Sequence, residues 1–360
     1  MAFFTNQLLK WYKQNQRKLP WRKTRDPYKI WLSEIILQQT RIAQGTGYYN
    51  KFIREFPDVA SLAMAKQDKV MKLWQGLGYY TRARNLHAAA KEIEKKHKGQ
   101  VPDNYNDLIK LKGIGDYTAS AILSIAFSKP FPVVDGNVIR VISRIYGITK
   151  PVSSADALNE IKTLAKKLMP INKPGNFNQA IMEFGALQCK PQNPDCAGCC
   201  LNSICIAFKK NIVGALPVKK ETPAIKERHL NYFLITYKIK KTRYIYIRKR
   251  TGNDIWKNLY DLPCIETKVK AGYDKIKTGK EWKTIFGNHK TIVKGNPKAY
   301  IHELSHQTIY AVFYNVSVLQ ALKKKSLLKK IKADDFQKLP VPRLIEKYLL
   351  SQNLILFSGI

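Results

Sequence analysis

The chain has 360 residues, which is long enough for two or three domains with hydrophobic cores of their own. Lysine and arginine number 63 against 26 acidic residues, and the formal net charge of +37 is too lopsided for an ordinary cytosolic enzyme. It favours a polyanionic partner such as nucleic acid, with a membrane surface or simply solvated lysines as the alternatives. No apolar run of about twenty residues occurs, so we expect no membrane-spanning helix. We expect the protein to lie in the cytoplasm, in association with the nucleoid.

The first half of the chain has helical periodicity. Residues 28–40 are predicted to form one helix, on which Glu34, Gln38 and Arg41 share a face among large apolar neighbours. Such neighbours desolvate a carboxylate and raise its pKa toward that of a usable general acid. The alternative is a structural Glu34 that Arg41 satisfies.

Residues 73–84 combine a glycine turn with aromatic and basic side chains. One helix is predicted to end in this turn and another to begin, with Tyr79 and Tyr80 beside Arg82 and Arg84. The combination suits insertion into a base stack with clamping of the phosphates. Packing of the tyrosines in the core is the alternative.

Residues 106–140 are predicted to contain a helix ending at Gly113, a tight hairpin through Gly115, and a second helix over about 117–127. The glycines allow close approach of the backbone, and the free N–H groups that begin the second helix suit an anion such as phosphate. A third helix then opens at Asp135, a short chain away from this phosphate site. The alternative for Asp135 is a plain helix N-cap.

Five of the six cysteines crowd into residues 189–205, which is typical of a metal site in a reducing compartment rather than a secreted disulfide framework. Four of them have six-two-five spacing: Cys189, Cys196, Cys199 and Cys205. Four thiolates suit a [4Fe-4S] cluster or a tetrahedral zinc ion. Cys200 is an alternative to Cys199 as the third ligand. Without a nearby histidine or an open ligand position, the site is predicted to shape a lysine-rich loop rather than to perform chemistry.

The pattern changes in the second half of the chain. Alternating β-branched and aromatic residues predict strands at 229–239, 243–250 and 308–318, and residues 341–350 resemble a closing helix. The predicted organisation is a mainly α-helical region, a polar linker and a smaller α/β or α+β domain, over 1–208, 209–228 and 229–360.

Several of these motifs together resemble a known family. L-K-G-I-G followed by V-D-G-N is similar to the helix–hairpin–helix of the endonuclease III superfamily of DNA glycosylases, and the cysteine spacing resembles its iron–sulfur loop. Within that superfamily, W-L-S-E-I-I-L-Q-Q-T and G-L-G-Y-Y-T-R-A-R-N-L resemble the adenine glycosylase branch. Motifs that resemble the family are closely spaced over residues 17–208, and the C-terminal domain resembles it less closely. It implies a helix–hairpin–helix glycosylase fold, a [4Fe-4S] cluster on the four cysteines, and a Nudix-like C-terminal domain.

The resemblance also implies a chemistry. Adenine is a poor leaving group as an anion, so cleavage of its N-glycosidic bond needs a general acid, which the resemblance places at Glu34. Asp135 would stabilise the oxocarbenium ion that forms, kept ionised by the positive end of its helix, with Tyr117 and Asn137 positioning the groups. The resemblance further suggests a transient bond between Asp135 and the sugar.

One position argues against strand cleavage. Bifunctional members carry a lysine just after the hairpin, whose amine attacks the sugar. Tyr117 stands there in this chain. Because a phenol cannot form a Schiff base, we expect a monofunctional glycosylase, acting as a monomer on double-stranded DNA that carries A·8-oxoguanine or A·G mispairs.

The resemblance assigns further contacts to the flipped base and to the duplex. Arg17, Trp21 and Glu183 would line the adenine site, although Trp21 could equally be core and Glu183 a surface acid. Gln38 and Tyr79 would wedge into the base stack, where the target nucleotide leaves the duplex. Gly113 and Gly115 would let the hairpin approach a phosphate.

The second domain is expected to recognise DNA rather than to hydrolyse nucleotides. After Glu266 the sequence T-K-V-K-A-G-Y-D-K-I-K lacks the acidic magnesium-binding core of a working Nudix hydrolase. Ser305 and His306 match the loop with which the family reads the oxidised guanine, while Leu304 replaces an aromatic. Two other hypotheses remain: a thymine or uracil mismatch glycosylase of the same superfamily, and a non-catalytic lesion-binding protein.

Overall fold

The computed structural model describes residues 1–218, 225–322 and 328–352. The chain forms two compact units, one of Met1–Ala65 with Asn85–Glu221 and the other of Lys66–Arg84 with Thr222–Ile360. The sequence-based division differs, since it assigned residues 66–84 to the helical region. The predicted classes are confirmed: the first unit is helical and the second is built on a sheet.

The helices before residue 210 follow one another through short connections. They are α1 (Ala2–Asn15), α2 (Pro27–Leu37), α3 (Ile42–Glu55), α4 (Val59–Met64), α5 (Gln67–Leu73), α6 (Thr81–His97), α7 (Tyr105–Leu108), α8 (Asp116–Ile125), α9 (Gly136–Tyr146), α10 (Ala155–Leu168), α11 (Pro174–Leu187) and α12 (Ile206–Lys209). Among the residues that the structure describes, every helix is too short or too polar to cross a bilayer.

Local signals explain where these helices begin and end. Asp26 caps α2 by accepting from two backbone N–H groups, and Pro27 follows at the first helical position. The helix then ends at Leu37, earlier than predicted, because Gln38 leaves helical conformation and Gln39 adopts a φ of 55°. Arg41 precedes α3 instead, so its predicted place on the face of Glu34 is wrong.

The predicted helix before the hairpin is also shorter than expected. The helix α7 ends at Leu108, and turns lead to Gly113, whose φ is +81°. A β-carbon at Gly113 would lie 2.8 Å from the Asn85 β-carbon, so only glycine fits this backbone without strain. The second helix, α8, spans Asp116–Ile125, close to the predicted range of about 117–127.

The core of the first unit lies among α1, α9, α10 and α11. It buries Phe4, Leu8, Val141, Ile142 and Phe177. The helices α9 and α11 approach closely at Gly185, where a β-carbon would come within 2.6 Å of the Asn137 β-carbon. This contact brings the start of α9 against the C-terminal part of α11.

The second unit is built on a sheet whose main strand order is β3-β2-β1-β7-β5, with β4 on β1, β6 on β7 and β8 on β2. The strands are β1 (Lys226–Ile239), β2 (Thr242–Lys249), β3 (Tyr260–Asp261), β4 (Cys264–Thr267), β5 (Thr291–Val293), β6 (Lys298–Leu304), β7 (Gln307–Val318) and β8 (Lys329–Lys332). The helices α13 (Tyr273–Lys277), α14 (Lys280–Phe286) and α15 (Arg343–Leu350) complete the unit.

The central strands β1 and β7 run parallel, whereas the other strand pairs are antiparallel. Phe233, Tyr314, Trp282 and Phe286 form the core between the sheet and α14. The strand β1 begins inside the predicted linker 209–228, because Lys226 already pairs with β7. Residues 219–224 of that linker lie outside the described residues.

Candidate active site

Glu34 is buried on α2, with 8% of its surface exposed. Its carboxylate accepts a hydrogen bond from the Tyr117 hydroxyl on α8 at 2.7 Å. Burial raises the pKa of Glu34 to about 7, against the lowering effect of that hydrogen bond, and the nearby charge of Asp135 adds to the rise. A carboxyl group with a pKa near neutrality can hold a proton and release it to a substrate.

Tyr117 keeps its proton under the same influences. Burial, followed by the charges of Glu34 and Asp135, raises the pKa of this phenol well above its ordinary value. Its hydroxyl also lies 3.4 Å from the Met182 sulfur of α11. Tyr117 is therefore a fixed donor that orients the Glu34 carboxylate, rather than a base.

Asp135 caps α9 and lies close enough to Glu34 and Tyr117 for its charge to raise the pKa of both. One carboxylate oxygen accepts from the backbone N–H groups of Asn137 and Val138 at 2.9 and 2.8 Å, and the other accepts from the Asn137 side-chain amide at 2.8 Å. Burial raises the pKa of Asp135, and these donors together with Arg140 oppose the rise. Our expectation considered only the favourable helix end and left out burial. Three donors nevertheless match an ionised carboxylate, which accepts only.

Arg140, which sequence reasoning missed, fixes the orientation of Asn137. Its guanidinium donates to the Asn137 side-chain oxygen at 2.8 Å and to the Gly185 carbonyl at 2.6 Å. It also donates to the Cys189 carbonyl at 2.8 Å. An arginine three residues after Asn137 on the same helix is the signal that could have indicated this contact.

Glu183 has a different environment, on α11. It is 2% exposed and accepts hydrogen bonds from Arg17 and Arg22, including contacts of 2.5 and 2.9 Å between guanidinium and carboxylate. Burial by itself would raise the pKa of Glu183, but the two arginines overcome it and lower the pKa to about 2. Arg22 was not predicted, and the alternative reading of Glu183 as a surface acid is wrong because the side chain is buried.

The other two residues predicted to contact the bases in this unit are held by neighbours. Trp21 is 7% exposed and packs edge-on against Tyr49, with ring centroids 5.3 Å apart. Gln38 follows α2, and its side-chain amide lies 3.4 Å from the Thr118 hydroxyl. Trp21 therefore lies in the core beside the Arg22 that contacts Glu183.

The hairpin presents backbone N–H groups at the start of α8. Gly115 precedes the helix, and among the described residues no side chain caps this N-terminus. A β-carbon at Gly115 would meet open space, in contrast to Gly113. The open side of the hairpin is therefore accessible to a ligand, as an anion site at a helix N-terminus requires.

The four predicted cysteine ligands line one cavity, together with Arg144. An Arg144 amino group lies 3.4 Å from the Cys189 sulfur, and the Leu201 backbone N–H lies 3.4 Å from the Cys199 sulfur. The Cys200 thiol instead points to the Gln7 carbonyl, 4.0 Å away. These contacts favour Cys199 over Cys200 as the ligand.

The four thiols form a donor set that suits an iron–sulfur cluster or a tetrahedral zinc ion. Within the residues described, no group of three His, Cys, Asp or Glu side chains is arranged to hold a metal ion. Four irons in a cubane separate their thiolates more widely than one ion does, and donors to the sulfurs are typical of such clusters. Burial raises the pKa of the Cys199 thiol to about 12, so a thiolate there requires bound positive charge.

The second unit brings Tyr79 and Ser305 together. Tyr79 is 42% exposed at a φ of 45°, and its hydroxyl lies 2.9 Å from the Ser305 hydroxyl. Ser305 and His306 form the two-residue turn between β6 and β7, where Leu304 pairs with Gln307. Both residues are exposed, as contact with another molecule requires.

Two family models match the chain: the HhH-GPD superfamily base excision DNA repair protein over residues 32–171, and the NUDIX domain over residues 232–351. The chain is 39% identical to an adenine DNA glycosylase of Buchnera aphidicola from Schizaphis graminum, over 86% of each chain. It is 41% identical to the human adenine DNA glycosylase, over 58% of this chain and 40% of that protein.

Solved structures resemble the helical part of the molecule. A thermostable thymine-DNA glycosylase is 30% identical and superposes with a TM-score of 0.53, over 57% of this chain and 95% of that one. A non-covalent endonuclease III–DNA complex, at 24% identity and a TM-score of 0.51, shares the fold over 59% of this chain.

Proposed function

Because the chain belongs to the adenine DNA glycosylases, enzymes of base excision repair, we propose that it hydrolyses the N-glycosidic bond of adenine mispaired with 8-oxoguanine or guanine. The observation that carries this proposal is the pair of neighbouring carboxyl groups, a buried Glu34 with a pKa of about 7 and a partly buried Asp135 with three donors on its oxygens. One group can give a proton while the other stays negative, which is the division of labour in glycoside hydrolysis.

The proposed reaction uses these two groups in sequence. Glu34 transfers its proton to a ring nitrogen of adenine, and the glycosidic bond breaks with its electron pair going to the base. Asp135 stabilises the positive charge that develops on the deoxyribose, by charge or by a transient bond. Water then adds to the sugar carbon and its proton returns to Glu34, with Tyr117 and Asn137 keeping the two carboxyl groups in place.

Strand cleavage is not part of this proposal. The position of the bifunctional lysine holds Tyr117, whose hydroxyl is engaged with Glu34 at 2.7 Å. We expect purified enzyme to release adenine and to leave an intact abasic strand. Efficient nicking without added base or heat would contradict this.

We infer that Glu183, with Arg17 and Arg22, borders the site of the flipped adenine. A buried carboxylate held by two guanidiniums is a rigid hydrogen-bonding wall, which suits recognition of a base edge. Trp21, beside this group, supplies apolar surface. Gln38 is proposed to fill the space that the flipped base leaves in the stack.

Recognition of the base opposite adenine is assigned to the second unit. Tyr79 is proposed to wedge into the duplex, while Ser305 and His306 supply hydrogen-bonding groups to 8-oxoguanine. Leu304, in place of an aromatic, would contribute apolar contact without ring stacking.

A [4Fe-4S] cluster is the proposed cofactor. Its ligands would be the four cysteines of the cavity: Cys189, Cys196, Cys199 and Cys205. When bound, the cluster supplies structural cross-linking of the loop over residues 189–205. Iron and sulfide analysis should find about four of each per chain, the stoichiometry of a cubane cluster. Replacing Cys199 by serine should remove the cluster, whereas replacing Cys200 should not.

The decisive test is single-turnover base release from duplexes with A·8-oxoguanine, A·G, T·G and U·G, at one fixed salt concentration. Release of adenine from the first two supports the proposal. The likeness to a thymine-DNA glycosylase makes T·G the competing substrate, and release of pyrimidines alone would favour that function. Light scattering in the same buffer checks the proposed monomer.

A further inference from the structure

An acidic residue stands at the place where the hairpin is proposed to meet a DNA phosphate. Asp116 is the first residue of α8, next to Gly115 and its open N–H groups. An aspartate in the first turn of a helix readily accepts from those N–H groups, and its charge repels a phosphate. The orientation of the Asp116 carboxylate therefore decides whether these N–H groups are open to a phosphate.

Both of its oxygens are engaged by side chains of other helices. One oxygen lies 2.5 Å from the Lys162 ammonium group of α10, and the other accepts from the Tyr105 hydroxyl of α7 at 3.2 Å. The carboxylate is thus turned toward Lys162 and Tyr105, and its charge is paired. The backbone N–H groups at the start of α8 remain accessible.

The Tyr105 hydroxyl is held in place by ring stacking. Tyr105 lies parallel to Phe131, with an angle of 4° between the rings and 5.7 Å between their centroids. Asp116 and Lys162 are each about half exposed, so their pairing is a surface contact that packing does not force. A surface ion pair of this kind adds little to the stability of the fold. Its main effect is therefore on where the Asp116 carboxylate lies.

We propose that Lys162 and Tyr105 are positioning residues for DNA binding, which hold the Asp116 carboxylate away from the hairpin N–H groups and neutralise it. The hairpin can then accept a phosphate despite the acid beside it. This inference rests on the proposed function, because it takes the hairpin as the phosphate site. It differs from a direct contact of Lys162 with DNA, in which Asp116 would play no part.

The test is equilibrium binding of the full-length, cluster-loaded protein to a labelled undamaged duplex, followed by fluorescence anisotropy over a salt series. Lys162→Met should weaken binding about fivefold at low salt, since one unpaired charge about 4 Å from another is worth about that factor in water. Salt should reduce the effect. Asp116→Asn should bind at least as tightly as wild type, and the double variant should return to the wild-type affinity.

Lys96→Met is the matched control, because Lys96 forms an exposed pair with Glu92 at 2.6 Å on α6. It should change affinity less than Lys162→Met does. A double variant as weak as Lys162→Met, or equal effects of the two lysine substitutions, would overturn the inference and leave the proposed function intact. Wild-type protein that bound no duplex DNA would instead refute the proposed function together with this inference.

Discussion

The surroundings of Glu34 and of Glu183 shift the pKa of a glutamate side chain in opposite directions. Both glutamates are buried on helices of the first unit, with 8% and 2% of their surfaces exposed. Glu34 accepts from a neutral phenol and its pKa rises to about 7. Glu183 accepts from two arginines and its pKa falls to about 2.

The difference shows that burial alone does not decide the charge of a carboxyl group. Desolvation acts on both residues and favours the neutral form of each. The partners decide the outcome, since guanidinium groups stabilise the anion of Glu183 far more than a phenol stabilises that of Glu34. A carboxyl group that can hold a proton near neutrality and a permanent anion thus arise from one residue type in one unit.

Glu34→Gln should produce the largest loss of activity. It removes the proposed proton donor, and general acid catalysis contributes about 10²–10⁴-fold, so single-turnover adenine release should fall by that order. Thermal unfolding should not become easier, because the substitution removes a buried acid whose charged form is disfavoured. Glu183→Gln is the contrasting variant: it leaves two arginines without their anion and should lower the melting temperature. If the two variants changed the melting temperature equally, the proposed contrast between Glu34 and Glu183 would be wrong.

Asp135→Asn should reduce adenine release by about 10²–10³-fold, the usual cost of losing one electrostatic contact to a transition state. Asparagine is a good N-cap, so α9 and the fold should persist. Circular dichroism and thermal melting check the fold, while the single-turnover rate reports the chemistry. Wild-type rates in this variant would show that Asp135 only caps the helix.

The two glutamates should give opposite pH dependences. Adenine release should fall as pH rises through about 7, because Glu34 must be protonated to act. The raised pKa of Glu34 adds stability that is complete below about 4.5 and is lost as pH rises through 7. The lowered pKa of Glu183 adds stability that is present above about 4.5 and is lost as pH falls toward 2. Denaturant titrations at several pH values measure the free energy of unfolding. The loss of stability as pH rises through 7 should vanish in Glu34→Gln, and the loss as pH falls toward 2 should vanish in Glu183→Gln.

Tyr117→Phe should have the smallest effect. The Tyr117 hydrogen bond lowers the pKa of Glu34, so its loss should raise that pKa and move the descending limb of the pH–rate profile to higher pH. A single hydrogen bond is worth about 1 kcal/mol, which corresponds to about a fivefold change in rate. If the descending limb of the pH–rate profile moved to lower pH in this variant, Tyr117 could not be the donor that lowers the pKa of Glu34.

The sequence indicated the chemistry better than the contacts that support it. Glu34, Tyr117 and Asp135 were predicted because motifs that resemble one family carry them. The structure places them close together, since Tyr117 donates to Glu34 and the charge of Asp135 acts on both. Arg22 and Arg140 were missed, since their partners Glu183 and Cys189 are distant in the chain and only packing brings them together.

Helix ends and unit boundaries were the other weak points. The helix α2 was predicted to continue beyond Leu37, because no proline or glycine marks its end and the backbone change at Gln38 and Gln39 has no clear local signal. Residues 66–84 group with the second unit through contacts such as Asp68 with Lys249. A composition pattern could not indicate this pairing, since both residues are ordinary surface charges.

At Gly185 the missing side chain sets the distance between two helices. A single methyl group there would press on the Asn137 β-carbon and on the backbone of α9. The displacement would shift the Asn137 amide, which donates to the Asp135 carboxylate. A substitution of Gly185 should therefore impair the proposed base release, although glycine has no side chain.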